Sequence, residues 1–364
     1  MDIRKVGIEE ELMLVDPDSL RLTAVAHQAL RKETGDDVEA ELFLQMLETS
    51  TSPADSADDL ATVLREGRRA VGESAARAGA RAVAVGLPVL ADDTRDITPD
   101  ERYRRIRDEY GELTAQALAC GMHVHVDVTG DDEAVAVMDS IRPWLPVLLA
   151  LTANSPYWRG GDTAHASWRS QIWTRWPTGG PSDPFVDPDG YRRATERLQE
   201  WGAALDPGML YLDVRPARSY PTVEIRVSDV CVDVDDAVLV GLLARALVAT
   251  EAAAWRNGAE RPSWRVDELK AASWRAARYG LPGPLVHPVE MRLAPTREVV
   301  DSLVDHVRPA LEEAGDDSLV ADLFEQLVAR GNGAVRSRAV HEATGSLERV
   351  VADLADRTEA SWQG

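Results

Sequence analysis

The chain has 364 residues, 45% hydrophobic and 28% charged, a globular balance that excludes a disordered or low-complexity protein. Its formal net charge of -22 argues against non-specific nucleic-acid binding and against docking on an anionic membrane, so neither is expected as a partner. Lysine occurs only at Lys5, Lys32 and Lys270 and never after a glycine, which excludes a GxxxxGK[ST] loop; any phosphate must be held by arginine, backbone amides or a metal.

The first element in chain order is a strand-like segment at 3–16 that contains "VGIEEELMLVD". Successive side chains on a strand face opposite ways, so Glu9 and Glu11 share one face, while Glu10 goes with Ile8 and Leu12 and is expected to be structural. Two residues along a strand span about 6.6 Å, close enough for both carboxylates to reach one cation or two neighbouring ones. A solvated edge strand would carry the same charges. A second strand-like stretch at 38–50 includes "QMLETSTSP", with Glu48 just before Thr49 and Ser50. Helical periodicity covers 56–79 and 101–119, with a short strand at 81–86 between them.

In "GMHVHVDV" (121–128), His123, His125 and Asp127 occupy one face and Met122, Val124 and Val126 the other. A helix is expected at 132–153, followed by a stretch at 154–190 that is dense in Gly, Pro, Trp and Arg and shows neither periodicity. Its four tryptophans argue against disorder, so it reads as a substrate-side loop. After a helix at 190–204 come strands at 209–215 and 222–228. There Asp213 and Arg215 share a face, and Glu224 and Arg226 alternate with Val223, Ile225 and Val227.

The run from 233 is apolar nearly all round and is expected to be a buried helix, about 235–257. Arg245 interrupts it, and no apolar run approaches the length of a membrane span. Further helices are expected at 266–279, 296–314, 318–330 and 338–359. The N-terminus lacks the layout of a signal peptide, and Cys120 and Cys231 form neither a zinc nor a disulfide signature, so a reduced, cytoplasmic setting is expected.

Strands separated by helices and long loops indicate an α+β fold with a mostly antiparallel sheet that keeps one face polar. No linker divides the chain, so 1–364 is expected to be one catalytic domain, with a helical C-terminal part from about 296. Polar-out alternation is the ordinary pattern of a half-buried strand, but here the polar faces carry Glu, His, Asp and Arg rather than Thr, Ser, Lys and Gln. The set to test is Glu9, Glu11, Glu48 and Glu224 with His123 or His125 beside them. Oxygen-rich ligands favour Mg²⁺ or Mn²⁺, although HxH is also a zinc signature.

Seven motifs in order, "VGIEEELMLVD", "QMLETSTSP", "GMHVHVDV", "NSPYWRG", "RSQIWTRWP", "VEIRVSD" and "WRAARYGL", resemble the type 2 glutamate-cysteine ligase family, the carboxylate-amine ligases. The resemblance runs from about residue 3 to beyond 281. It implies a glutamine synthetase/guanido kinase-like fold: a curved, mostly antiparallel sheet whose concave face holds ATP, metals and substrates, with helices outside. It also implies ATP-dependent amide formation through an acyl phosphate, with glutamate as the acid and cysteine or another amine as the acceptor. Carried over residue by residue, Glu9, Glu11, Glu48 and Glu224 would hold Mg²⁺ (or Mn²⁺), with His123 rather than His125 as the histidine ligand. Arg226 would meet the γ-phosphate and Arg215 a phosphate or a substrate carboxylate, while Asn154, Arg169 and Arg175 would bind a substrate carboxylate. Trp173 and Trp176 would pack the loop, and a homo-oligomer is expected. The rival readings are a phosphotransferase on the same scaffold, a metal-dependent amidohydrolase built around "HVH", and a binding protein that has lost its chemistry.

Overall fold

The computed structural model describes residues 3–30, 38–91 and 96–363, so Lys32 lies outside the described residues. The site is carried by strands β1 (Val6–Val15), β2 (Val38–Ala40), β3 (Met46–Ser50), β4 (Arg81–Val83) and β5 (Gly121–Asp127). After the small separate ribbon of β6 (Tyr157–Trp158) and β7 (Gly161–Asp162), it is completed by β8 (Val214–Pro216) and β9 (Thr222–Asp229). The sheet order is β2-β3-β1-β5-β9-β8, and β4 takes the side of β1 beyond the end of β5. All pairings are antiparallel.

The apolar positions of the strands make one face of this sheet. Val6, Ile8, Met122, Val124, Val126, Val223 and Ile225 pack in one core with residues of helices Ala57–Arg77, Asp131–Ile141, Leu145–Thr152 and Val234–Arg256. The helix Ala57–Arg77 starts where Ser56 accepts the Asp59 N–H at 3.1 Å, an N-cap that satisfies a donor the helix cannot. The helix Val234–Arg256 is apolar all round because it packs against the sheet and also against the helices Thr296–Ala314 and Asp317–Arg330. Contrary to the expectation from sequence, Asp131–Thr152 and Val234–Arg256 are long and apolar enough to cross a membrane. Core packing explains that composition, because 100% and 72% of their apolar windows are buried inside the fold. Arg245 is accommodated by an ion pair with Asp316 and a 2.7 Å bond to the Asp55 carbonyl.

Several expected elements are shorter or divided, and each break has a local cause. The stretch 101–119 becomes Glu101–Tyr110 and Glu112–Ala115, parted at Gly111, which has φ +53°. The stretch 338–359 becomes Gly333–Thr344 and Leu347–Gln363, parted at Gly345 in the left-handed conformation. The stretch 38–50 is two strands that pair with each other, not one. The stretch 209–215 is mostly irregular, following the short helix Pro207–Met209, and leaves only β8. The loop 154–190 contains a short helix, Trp168–Trp173. The C-terminal helices are tied to the body by the ion pairs Arg330–Asp236 and Arg336–Asp233, and the Ala84 N–H donates to Thr358 Oγ1 at 3.0 Å.

Candidate active site

The other face of the sheet collects the charged positions. In the β1–β5 register Glu9 pairs with His123 and Gly7 with His125; in the β1–β3 register Glu11 pairs with Glu48; in the β5–β9 register His125 pairs with Glu224. Residues paired across antiparallel strands project from the same face, so three pairings bring all six side chains together. A register shift between Met122 and Val124 sets Arg226 and Val227 opposite His123 alone. Such a bulge re-aims a side chain, here Arg226, toward His123. The side chains line a cleft of about 250 Å³.

Hydrogen bonds divide the cleft into two electrostatic regions. Around Glu9, His123 Nδ1 lies 3.1 Å from Oε2 and His125 Nε2 lies 3.2 Å from Oε1. Burial alone would raise the Glu9 carboxyl, but the hydrogen bonds from both histidines outweigh it and hold the group far below the usual carboxylate range. Burial and the Arg226 guanidinium push His123 down to about 4. A neutral His123 that donates Nδ1–H to ionised Glu9 leaves the Nε2 lone pair free, which is the form that ligates a metal. Glu224 accepts from Arg215 Nε at 2.7 Å and Nη2 at 3.2 Å, and from Arg226. Burial opposes its ionisation, but Arg226 and Arg215 win and hold it down to about 2.

The second region is a crowd of acids. Glu11, only 9% exposed, accepts the Gly121 N–H at 2.5 Å, and burial together with neighbouring Glu41 pushes it up to about 7. Burial and the Glu41 carboxyl, hydrogen-bonded to it, raise Glu48 well above the ordinary range. Carboxylates this close need a proton or a cation between them. The donor atoms of Glu9, His125 and Glu224 lie within 4.8 Å of one another, as do those of Glu9, Glu48 and His123. Oxygen-rich triads beside acids that retain protons fit a hard divalent cation. Glu11 falls outside both triads.

Glu41 was missed from the sequence. Read as one strand, 38–50 puts Glu41 and Glu48 on opposite faces; the turn after Ala40 and the β2–β3 pairing fold them together. Arg218, in the turn between β8 and β9, lines the cleft and makes no hydrogen bond or ion pair among the described residues, and it too was missed. Tyr103 and Tyr211 join Trp173 and Trp176 in the wall. Tyr211 packs edge-on to Trp173 with ring centroids 4.9 Å apart, so both tryptophans pack the loop and line the cleft.

The loop residues singled out from sequence separate. Asn154 is fully buried; its amide donates to the carbonyls of Ala84 and Val230 at 3.0 and 2.8 Å, so it presents no surface to a ligand. Arg175 is exposed, bonds Gln116 at 2.6 Å and lines neither the cleft nor a second cavity beside it, which the loop helix Trp168–Trp173, Asp213 and the helix Val266–Tyr279 border. Arg169 is 2% exposed and lies against β5, where a Cβ at Gly121 would come 2.1 Å from its Nη2. It borders that second cavity rather than the cleft. Glu10 faces the core and forms a bidentate pair with Arg68 at 2.6 and 2.8 Å, both side chains being 1% exposed or less.

Comparison with known proteins is consistent with this geometry. Residues 5–353 match the family model of glutamate-cysteine ligase family 2 (GCS2). The protein named "Putative glutamate--cysteine ligase 2-1" in Nocardioides sp. is 48% identical over 99% of this chain and 97% of its own length. The protein of the same name in Streptomyces avermitilis is 44% identical over 98% of this chain and all of its own. Among solved structures, a bifunctional glutathione synthetase from Pasteurella multocida aligns with TM-score 0.73 and 16% identity over 99% of this chain; this chain spans 52% of that protein. A glutamate–cysteine ligase from Francisella tularensis in complex with AMP aligns with TM-score 0.66 and 15% identity, over all of this chain and 94% of its own. At such identities the solved structures speak for the fold alone. On the match of residues 5–353 and on relatives 48% and 44% identical, the chain belongs to glutamate-cysteine ligase family 2 and is an ATP-dependent amino-acid ligase.

Proposed function

We propose that the chain, working as one catalytic unit, joins a carboxylate to an amine by way of an acyl phosphate, with glutamate as the activated acid and cysteine or a related amine as the acceptor. The observation that carries this reading is the pair of triads sharing Glu9 on the same sheet face as Arg226. The sheet is read as the curved scaffold of the glutamine synthetase type, with the cleft on its concave side. Glu9, Glu48 and Glu224, with His123 and His125, would hold Mg²⁺ or Mn²⁺; bound there, the ions would neutralise charge on the phosphates of ATP. Glu11 and Glu41 complete the acidic wall.

The residues of the chain supply the rest. Arg226 and Arg215 now share Glu224, and an entering phosphate would compete for those guanidiniums and release the carboxylate toward a cation. Arg218, in the wall of the cleft, would meet a phosphate oxygen. Trp173, Trp176 and Tyr211 shield one wall from water, which an acyl phosphate requires to survive until the amine attacks. A cytoplasmic setting, where ATP is available and thiols stay reduced, suits this chemistry.

The test is Mg²⁺-dependent phosphate release from ATP across a panel of amino acids and amines, with hydroxylamine added to trap the activated acid. A hydroxamate formed in step with ADP supports the ligase. A stable phospho-product without hydroxamate would instead establish the phosphotransferase reading, and amide turnover without ATP the amidohydrolase.

A further inference from the structure

Gly121 opens β5 and shares a face with His123 and His125, so it stands on the cleft face at a place where a side chain would otherwise project. Arg169 fills that place. Its guanidinium, carried by the loop helix Trp168–Trp173, lies so close that a Cβ at Gly121 would come 2.1 Å from Nη2, an approach that glycine permits. The Arg169 side chain is 2% exposed, and a buried guanidinium needs a counter-charge. Asp229, fully buried and paired with Gly121 across the β5–β9 ladder, supplies it, with Oδ1 3.9 Å from Arg169 Nη1.

The same carboxylate ties down the loop at its base. Asp229 Oδ2 accepts the Asn154 N–H at 2.8 Å and the Ser155 hydroxyl at 2.7 Å, and Oδ1 accepts the Ser167 hydroxyl at 2.9 Å. Both hydroxyl oxygens in turn accept backbone N–H groups of the loop helix, that of Arg169 at Ser155 (3.0 Å) and that of Ser170 at Ser167 (3.4 Å), which leaves their own protons for Asp229. Burial raises the Asp229 carboxyl, while Arg169 and these donors act the other way. Both ends of the excursion 155–167 are thus fastened to the last residue of the strand that carries Glu224 and Arg226.

Trp173 stands one turn beyond Arg169 on the loop helix, with Arg169 Cζ 5.5 Å from its ring centroid. Its Nε1 has no hydrogen-bond partner among the described residues, so packing holds the ring: Arg169, Tyr211 edge-on at 4.9 Å and Trp176 at 6.5 Å. Of these, Arg169 is the one that an ion pair fixes to the sheet.

We infer that Asp229 is a positioning residue for the water shield of the cleft: by balancing Arg169 it keeps the loop helix seated on the sheet and Trp173 in the cleft wall, and so keeps water from the activated acid. The inference rests on the ligase reading and adds to it a residue that couples ATP use to amide formation. When the wall loosens, water competes with the amine. Its oxygen attacks the acyl carbon and the bond from that carbon to the phosphate oxygen breaks. Phosphate leaves with the electron pair and one proton, the second proton passes to solvent, and the acid is recovered as its carboxylate. ATP is then consumed and no amide is made.

Two measurements on the full chain test this. The first supplies Mg²⁺, ATP and a fixed concentration of hydroxylamine with each amino acid of the panel above, and counts the hydroxamate formed per ADP released. The wild type should give about one with its own acid, whereas Asp229→Asn and Arg169→Gln should each lower the ratio about twofold or more while ADP release continues. The double variant should be no worse than either single one, because the two residues act as a unit. Glu10→Gln, which weakens the core away from the cleft face, should keep the wild-type ratio, so instability alone does not produce the fall. The second measurement follows amide hydrogen exchange across 167–176, which should quicken about tenfold in Asp229→Asn relative to the strands of the sheet. Where Asp229→Asn does not fold, Arg169→Gln carries both measurements, and Trp173→Leu, which leaves the bonds to Asp229 intact, must still lower the ratio. A wild-type ratio in these variants overturns the inference and keeps the ligase, as does either change without the other. A wild type that forms no hydroxamate with any amino acid removes the ligase reading, and this inference falls with it.

Discussion

Glu9 and His123 stand opposite each other on neighbouring antiparallel strands, with His123 Nδ1 3.1 Å from Glu9 Oε2. That contact and the one from His125 hold Glu9 ionised; with Nδ1–H donating to it, the His123 Nε2 lone pair and the carboxylate would be two donors for the cation proposed above. Replacing His123 by Ala removes a donor and loosens Glu9. The expected outcome is a weaker apparent affinity for Mn²⁺, by about 10- to 100-fold, measured by titration against ADP formation. An unchanged metal dependence would show that His123 is not a ligand.

Glu10, one residue away, tests the division between the two faces. Its pairing with Arg68 is buried, and Arg68 also donates to the carbonyls of Cys231 and Val232 at 2.7 Å each. Glu10→Gln leaves a guanidinium charge uncompensated in the core, at a cost of about 3–5 kcal/mol. The melting temperature should fall by several degrees while the turnover of the folded protein stays close to wild type. Lost turnover with an unchanged melting temperature would place Glu10 in the site instead.

The acid crowd makes the metal-free protein sensitive to pH in a definite direction. Glu11 is raised from its ordinary value to about 7 and Glu48 is raised well above it. Groups whose pKa is higher in the folded state stabilise the fold at low pH, and that stability is lost as pH rises through the folded value. The chelator-treated protein should therefore melt at a lower temperature at pH 8 than at pH 6. Added Mg²⁺ or Mn²⁺ should reverse the drop by replacing the protons. A metal-free protein that is more stable at pH 8 would contradict this arrangement of acids.

Asn154 and Arg175 give a contrasting pair from the long loop. Asn154→Ala strips the buried carbonyls of Ala84 and Val230 of their donor, each worth about 1–3 kcal/mol, so it should lower stability measured in urea. Arg175→Ala removes an exposed bond to Gln116 and a cation–π approach to the Trp168 ring, and should change stability by about 1 kcal/mol or less and leave KM values unaltered. A raised KM for an amino acid in Arg175→Ala would return that residue to the substrate site.

The strand faces were legible because alternation of two is local: once β1, β5 and β9 are strands, Glu9, His123 and Glu224 must share a face or oppose it. Whether they do depends on register, which the resemblance supplied and periodicity could not. Glu41 was hidden because a turn inside 38–50 reverses the parity on which the reading relied. Asn154 misled because a polar residue in a functional-looking loop can equally be a bracket between buried carbonyls. The breaks at Gly111 and Gly345 were written in the sequence as glycines, yet each interrupts a period that continues across it. The cavity at Asp213 depends on three distant segments meeting, which no local pattern records.

The most direct measurement compares Glu9→Gln with Glu10→Gln for Mg²⁺- and amino-acid-dependent release of ADP from ATP, each assayed where circular dichroism shows it folded. Glu9→Gln should lose turnover by about 100-fold or more, because an anionic donor that both triads share is gone, while Glu10→Gln retains it. Wild-type turnover in Glu9→Gln would contradict the assignment of the cleft face as the cation-binding, ATP-using site.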